Sequence, residues 1–292
     1  MSVIGLGYVG LNVSSVDAWK TWARDFLGAM EAPASPAGVE RLRFDDYAWR
    51  IALEAGDKDD IAWVGLEVAG PAELAVLRER LIANGVEAED ADGDLLAERG
   101  VVGLVRCRDP EGLGIELYYG PTHVSHIPFV SPVGAKFVTG EQGLGHFVLA
   151  TGDLAATRRF YLDLLGFRQS DTIRMAMGPN FHIDLEFYFC NPRHHTLAVA
   201  PLPMMPPKRL HHLMVQVETL DQVGFALERL ERSGTKLTQT LGRHSNDKMV
   251  SFYVATPSGF ELEYGYDAIA VDAATWTMAR HDKISSWGHK RL

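Results

Sequence analysis

Three short segments carry side chains able to hold a metal ion between them: Gly145-His146-Phe147-Val148, His211-His212-Leu213-Met214-Val215-Gln216-Val217 and Phe260-Glu261-Leu262-Glu263-Tyr264. Each reads as a β-strand, in which successive side chains point to opposite faces. In the second segment, Leu213, Val215 and Val217 share an apolar face with His211, one suited to pack on helices. His212 then points the other way, with Met214 and Gln216. In the third, Phe260, Leu262 and Tyr264 form one face, and Glu261 and Glu263 the other. In the first, His146 shares a side with Val148 and Ala150. A lone histidine on an apolar strand is more often packed core than ligand. As a set, however, two imidazoles and one carboxylate leave coordination positions open. That suits a mononuclear non-haem Fe(II) oxygenase, with Mn(II) as the rival ion, whereas zinc more often takes a tighter N/S set.

The elements that must position these residues come in repeats. Residues 4–28 (IGLGYVGLNVSSVDAWKTWARDFLG) and 143–166 (GLGHFVLATGDLAATRRFYLDLLG) each read as an apolar strand, a polar turn and a helix ending in Leu-Gly. Residues 62–85 and 211–234 form a second matching pair, each a strand and a helix closed by Gly85 or Gly234. Each is followed by a turn and a closing strand, at 109–120 and 256–266. Glycine suits the helix end because it takes the left-handed conformation cheaply. The expected fold class is α+β: four βαβββ modules in two tandem domains, each a cup-shaped mixed sheet with helices outside. The boundary falls in the Pro/Gly/Ser-rich segment 122–142. Residues 1–130 form a domain without metal, and residues 131–292 the catalytic domain. The repeat pairs His146, His212 and Glu263 with Tyr8, Trp63 and Glu116, so only the second half has both imidazoles.

Composition narrows the partners. The 292 residues are 47% hydrophobic and 23% charged, with a net charge of −10. That balance argues against nucleic acid or an anionic membrane surface and leaves a small aromatic ligand open. Two distant cysteines, Cys107 and Cys190, suit a reducing compartment without a disulfide framework. The N-terminus lacks a basic n-region, so no signal peptide is expected. No apolar run reaches the roughly 20 residues of a membrane-spanning helix.

Further segments carry a resemblance over essentially the whole chain: FVTGEQGLGHFV (137–148), FYLDLLGF (160–167), CNPRHHTLA (190–198), KRLHHLMVQV (208–217), LGRHSNDKMVSFYVATPSGFELEYG (241–265) and SSWGHK (285–290). In these the chain resembles the type I extradiol dioxygenases of the vicinal oxygen chelate superfamily. The resemblance implies meta cleavage of an aryl-substituted or bicyclic catechol, 2,3-dihydroxybiphenyl foremost, by dioxygen at Fe(II). It implies His146, His212 and Glu263 as ligands, the three that strand alternation selects. It also implies His195, His244, Asn246, Asp247 and Tyr253 as catalytic neighbours, and Val148, Met175, Phe187, Ala200 and Leu202 as walls of the substrate pocket. An octameric, cytoplasmic enzyme is implied as well. Read from residues alone, His195 is a surface imidazole in the polar run Asn191-Pro192-Arg193-His194-His195, and Met175 and Phe187 are equally well core residues. Tyr253 shares a strand face with Ser251, opposite Phe252 and Val254. Two other functions remain open on this fold: a glyoxalase-like metal isomerase with four ligands, and a metal-free aromatic-binding protein with no histidine on the cup faces.

Overall fold

The computed structural model describes residues 3–292. Four modules of one strand, one helix and three strands follow in order. The first is β1 (Val3–Val13), α1 (Val16–Trp22), β2 (Met30–Ala32), β3 (Glu40–Arg43) and β4 (Ile51–Ala55). The second is β5 (Asp60–Val68), α2 (Pro71–Ala83), β6 (Glu89–Asp90), an added α3 (Gly93–Arg99), β7 (Val101–Arg108) and β8 (Gly114–Pro121). The third is β9 (His146–Thr151), α4 (Leu154–Arg158), β10 (Arg168–Gly178), β11 (Phe181–Phe189) and β12 (Leu197–Pro201). The fourth is β13 (Leu210–Val217), α5 (Leu220–Ser233), β14 (Leu237–His244), β15 (Val250–Ala255) and β16 (Glu261–Tyr266). The tail adds β17 (Ala279–His281) and β18 (Ser285–Trp287).

Two mixed sheets result, ordered β2-β3-β4-β1-β5-β8-β7-β6 and β17-β10-β11-β12-β9-β13-β16-β15-β14-β18. In each, the opening strands of two modules pair antiparallel at the centre, β1 with β5 and β9 with β13. Segment 122–142 contributes no named strand to either sheet and forms isolated bridges, Tyr47 to His123 and Phe137 to Val217. This is the α+β architecture read from the repeats. Three features were not read there: α3, the two tail strands, and the way α1 and α4 end. Both helices loosen into π-helical turns, Ala23–Leu27 and Arg159–Leu164, before Gly28 and Gly166 at φ 86° and 79°.

Local sequence explains the helix positions. Ser15, Asp153 and Thr219 cap α1, α4 and α5 by accepting the N–H of Ala18, Ala156 and Gln222. Thr219 and Gln222 complete a reciprocal capping box. Gly234 then ends α5 at φ 64°. The apolar faces of the helices and of both sheets merge in one core, which includes Phe26, Leu66 and Leu117 from the first half and Phe147, Val215 and Tyr264 from the second.

A buried polar junction ties the halves together. Asp109, in the β7–β8 turn, accepts backbone N–H from Leu113 at 2.8 Å and Glu111 at 3.0 Å. It also accepts the Tyr161 hydroxyl at 3.0 Å and a two-pronged contact from Arg209, just before β13. Removing one partner of a buried pair leaves the other charge uncompensated. Asp109→Ala is therefore expected to cost about 3–5 kcal/mol of stability, read as a lower urea unfolding midpoint. A midpoint within error of wild type would contradict this role.

Candidate metal centre

The pairing of β13 with both neighbours builds the centre. Met214 pairs with His146 on β9 and with Glu263 on β16. Directly paired residues share a sheet face, so His146 and Glu263 flank β13 on one side, and His212, two residues before Met214, joins them. His146 Nε2 lies 3.1 Å from His212 Nε2. Glu263 Oε2 lies 3.3 Å from the first and 3.4 Å from the second. All three side chains are buried. Ligands at about 2.1 Å from one ion and mutually at right angles stand about 3 Å apart, so the triangle fits a facial two-histidine, one-carboxylate set.

Electrostatics keep His146 and Glu263 in ligand form. Burial pushes the His146 pKa down to about 4, so the ring is neutral and keeps a lone pair. Burial alone would raise the Glu263 pKa, but His244, His146 and His212 hold it well below the usual carboxylate range. Glu263 Oε1 is taken by the Ser251 hydroxyl at 2.5 Å and His244 Nε2 at 3.0 Å, which leaves Oε2 to face the histidines. The 2.7 Å contact between the Nδ1 atoms of His212 and His211 turns the other ring nitrogen of His212, Nε2, inward. Such outer partners orient a ligand and tune its affinity.

The expected neighbours gather around this triangle. The His195 ring lies against that of His146, with centroids 4.0 Å apart, and Phe187 meets its edge at 4.9 Å. At 4% exposure His195 is no surface imidazole, which corrects the reading from its polar run. Burial and the neighbouring His146 and His194 rings hold its pKa well below the usual histidine range. Asp247 Oδ2 is 4.0 Å from His195 Nδ1. Asn246 is buried with its amide nitrogen unpartnered. The Tyr253 ring meets His212 edge-on at 5.2 Å. Burial opposes charging His244, but Glu263 and Asp247 raise its pKa to about 9. The resulting cation donates from Nδ1 to the Ile284 carbonyl at 3.2 Å and from Nε2 toward Glu263 and the Tyr253 oxygen, the latter at 2.8 Å. Burial and Glu263 raise the Tyr253 pKa, so the phenol keeps its proton.

Two of the five residues expected to wall the substrate share one apolar cluster. Val148 pairs with Ala198, and Ala198 with Phe187, so one cross-strand row joins them. Ile173, Leu185 and Ile284 complete that cluster. Met175, Ala200 and Leu202 fall outside it. Met175 pairs with Ile183 farther along the β10–β11 hairpin, Ala200 pairs with Ala150, and Leu202 follows the end of β12. Ile173 and Ala198, also in the cluster, each lie two residues before an expected wall residue, on the same strand face. Ser251, His289 and His211 were also missed as participants. His289 stacks on His244 at 4.2 Å and reaches Ser251. His211, expected on the helix-packing face, is instead exposed. The β13–β9 register shifts between Leu210 and His212, and that irregularity frees it from strict alternation.

The N-terminal counterpart shows the same strand pairing with different side chains. Gly65 pairs with Tyr8 and Glu116, as Met214 pairs with His146 and Glu263. Gly65 must lack a Cβ, which would stand 2.0 Å from the Tyr8 ring. Glu116 accepts the Tyr8 hydroxyl at 2.9 Å and both prongs of Arg99 at 2.9–3.1 Å. Arg99 also lies over Trp63 at 4.0 Å. A resident guanidinium neutralises this carboxylate.

Two substitutions separate ligand from support. His212→Ala is expected to leave dialysed protein without bound metal. His211→Ala is expected to keep the site but weaken metal affinity about 10- to 100-fold. Metal analysis across a chelator series reads both, and equal retention in the two variants would refute the assignment.

Comparison with known proteins agrees with this geometry. Residues 143–264 match the glyoxalase/bleomycin resistance protein/dioxygenase superfamily, and residues 6–56 match dihydroxybiphenyl dioxygenase BphC D1. The chain is 48% identical to the biphenyl-2,3-diol 1,2-dioxygenase of Metapseudomonas furukawaii, covering 100% of this chain and 95% of the relative. It is 39% identical to an iron-dependent extradiol dioxygenase of Rhodococcus jostii strain RHA1, over 99% and 97% of the two chains. The crystal structure of BphC, a halotolerant catechol dioxygenase, superposes with a TM-score of 0.92 at 33% identity, covering 100% and 95%. By fold, metal-site geometry and full-length similarity, the chain belongs to the extradiol dioxygenases of the vicinal oxygen chelate superfamily.

Proposed function

We propose that this chain cleaves the ring of an aryl-substituted or bicyclic catechol beside its hydroxyl carbons, using dioxygen at Fe(II) held by His146, His212 and Glu263. 2,3-Dihydroxybiphenyl is the proposed substrate. The observation that carries this reading is the buried triangle of two imidazole nitrogens and one carboxylate oxygen, with edges of 3.1–3.4 Å. When bound there, the metal would supply Lewis acidity that favours the deprotonated catechol, and open positions for both reactants. Residues 131–292 form the catalytic unit and residues 1–130 the metal-free one, within an octamer in the cytoplasm. Among the described residues no helix is long and apolar enough to cross a membrane.

The protein's own groups divide the remaining work. Val148, Phe187 and Ala198, with Ile173 behind them, give the second ring an apolar surface that excludes water. His195, kept neutral by burial, accepts a catechol proton and later returns it. Tyr253 donates its hydroxyl proton to a substrate oxygen and fixes the orientation of the ring, while the His244 cation holds the Tyr253 oxygen from behind. Asn246 offers an unpartnered buried amide for a further contact, and Asp247 supports the His195 side of the cavity. Met175, Ala200 and Leu202 belong to the outer part of the pocket.

The test is anaerobic loading with Fe(II) or Mn(II), then aerated assays with 2,3-dihydroxybiphenyl, 1,2-dihydroxynaphthalene, 3-methylcatechol and catechol. The expected result is a yellow ring-opened product with Fe(II), formed fastest from 2,3-dihydroxybiphenyl. His195→Gln is expected to lower kcat about 10²- to 10⁴-fold with iron content unchanged. No yellow product from any catechol would refute the reading, and a faster Mn(II) enzyme would reassign the metal.

A further inference from the structure

The acid–base role of His195 depends on which of its nitrogens carries the proton. In a neutral imidazole one nitrogen donates and the other accepts. His195 Nδ1 lies 3.1 Å from His194 Nδ1. Two ring nitrogens at that distance share a single proton, so the direction of this bond follows from whatever fixes His194. His194 Nε2, on the far side of the ring, lies 2.9 Å from Asp171 Oδ2. A carboxylate only accepts. In the form ordinary for an imidazole at pH 8, His194 would therefore carry its proton on Nε2 and turn a lone pair to His195. His195 then donates from Nδ1, and its Nε2 keeps a lone pair. The competing carboxylate, Asp247, is 4.0 Å from His195 Nδ1, too far for a hydrogen bond.

Asp171 is itself held from every side. It is 1% exposed on β10. Its Oδ1 accepts the Ala279 N–H at 2.8 Å from β17, the tail strand that pairs parallel with β10. Its Oδ2 also faces His281 Nε2 at 3.3 Å. Trp276, from the same tail, donates to the Ser170 carbonyl at 2.9 Å and meets the His194 ring edge-on at 5.4 Å. Through these contacts the tail after β16 fixes both the carboxylate and the first ring of the chain.

We propose that Asp171 and His194 are positioning residues that set the tautomer of His195, keeping its Nε2 unprotonated to receive the substrate proton. This rests on the acid–base role given to His195 above. The Ala279 N–H makes the proposal testable by an isosteric change. In Asp171→Asn the amide oxygen must face that N–H, which turns the NH₂ group toward His194. His194 must then accept at Nε2 and donate from Nδ1. The relay reverses, and His195 carries its proton on Nε2.

The experiment has two arms, both at pH 8, where imidazoles are ordinarily neutral. Neutron diffraction from perdeuterated wild-type crystals is expected to show deuterium on His194 Nε2 and His195 Nδ1. Deuterium on His195 Nε2 would overturn the proposal, whatever the activity of the protein. In the kinetic arm, Asp171→Asn is expected to lower kcat at least about 100-fold with bound iron and KM near wild type. The Asp171→Asn/His195→Gln double variant should be no slower than His195→Gln alone. Wild-type kcat in Asp171→Asn, or a further loss in the double variant, would overturn the proposal. Absence of ring-cleaved product from wild type would instead count against the acid–base reading, while the neutron map still decides the tautomer.

Discussion

The centre is organised by one buried carboxylate. Glu263 is 1% exposed, and a carboxylate out of water costs several kcal/mol unless charge or donors compensate it. Its two oxygens are met differently. Oε1 receives Ser251 and His244, which hold the group still, and Oε2 faces the two imidazole nitrogens of His146 and His212. The positive charge that would complete this arrangement is the one the triangle is shaped to take. His244 is cationic because of Glu263, and it in turn holds the Tyr253 oxygen. Ligand geometry and the placement of the Tyr253 hydroxyl thus follow from the same anion.

The two halves solve that problem in two ways. Glu116 sits at the position equivalent to Glu263, opposite a residue paired with Tyr8, and Arg99 neutralises it with a two-pronged contact. Tyr8 stacks on Trp49 and Tyr118, and Trp63 meets Tyr8 and Trp49 edge-on, filling the surrounding cup with rings. A covalently tethered cation stays with its carboxylate, so Arg99 and Glu116 form a fixed pair. Replacing ring phenol and indole by imidazole, without a nearby arginine, is the change that makes room for an exchangeable ion.

Much of this was legible in the sequence because the information is local or periodic. The repeats exposed the modules, and alternation along β13 and β16 separated His212 from its neighbour and put Glu263 on the inner face. Of the residues expected to wall the substrate, Val148 and Phe187 share one apolar cluster with Ile173 and Ala198, while Met175 and Ala200 pair elsewhere, because cross-strand register, not position in one strand, decides which side chains meet. The contact of His211 with His212 depends on a register shift that alternation does not encode. The parts played by Ile284 and His289, and by Ala279 and His281, come from a tail whose partners lie dozens of residues away. No local pattern marks such contacts.

The most direct test of the centre is anomalous diffraction at the iron edge from anaerobically loaded crystals. One peak per chain is expected, between His146 Nε2, His212 Nε2 and Glu263 Oε2, with none beside Glu116. A principal peak at the other cluster of possible ligands, His194, His195 and Asp247, or at the Glu116 site of the N-terminal half, would contradict the account.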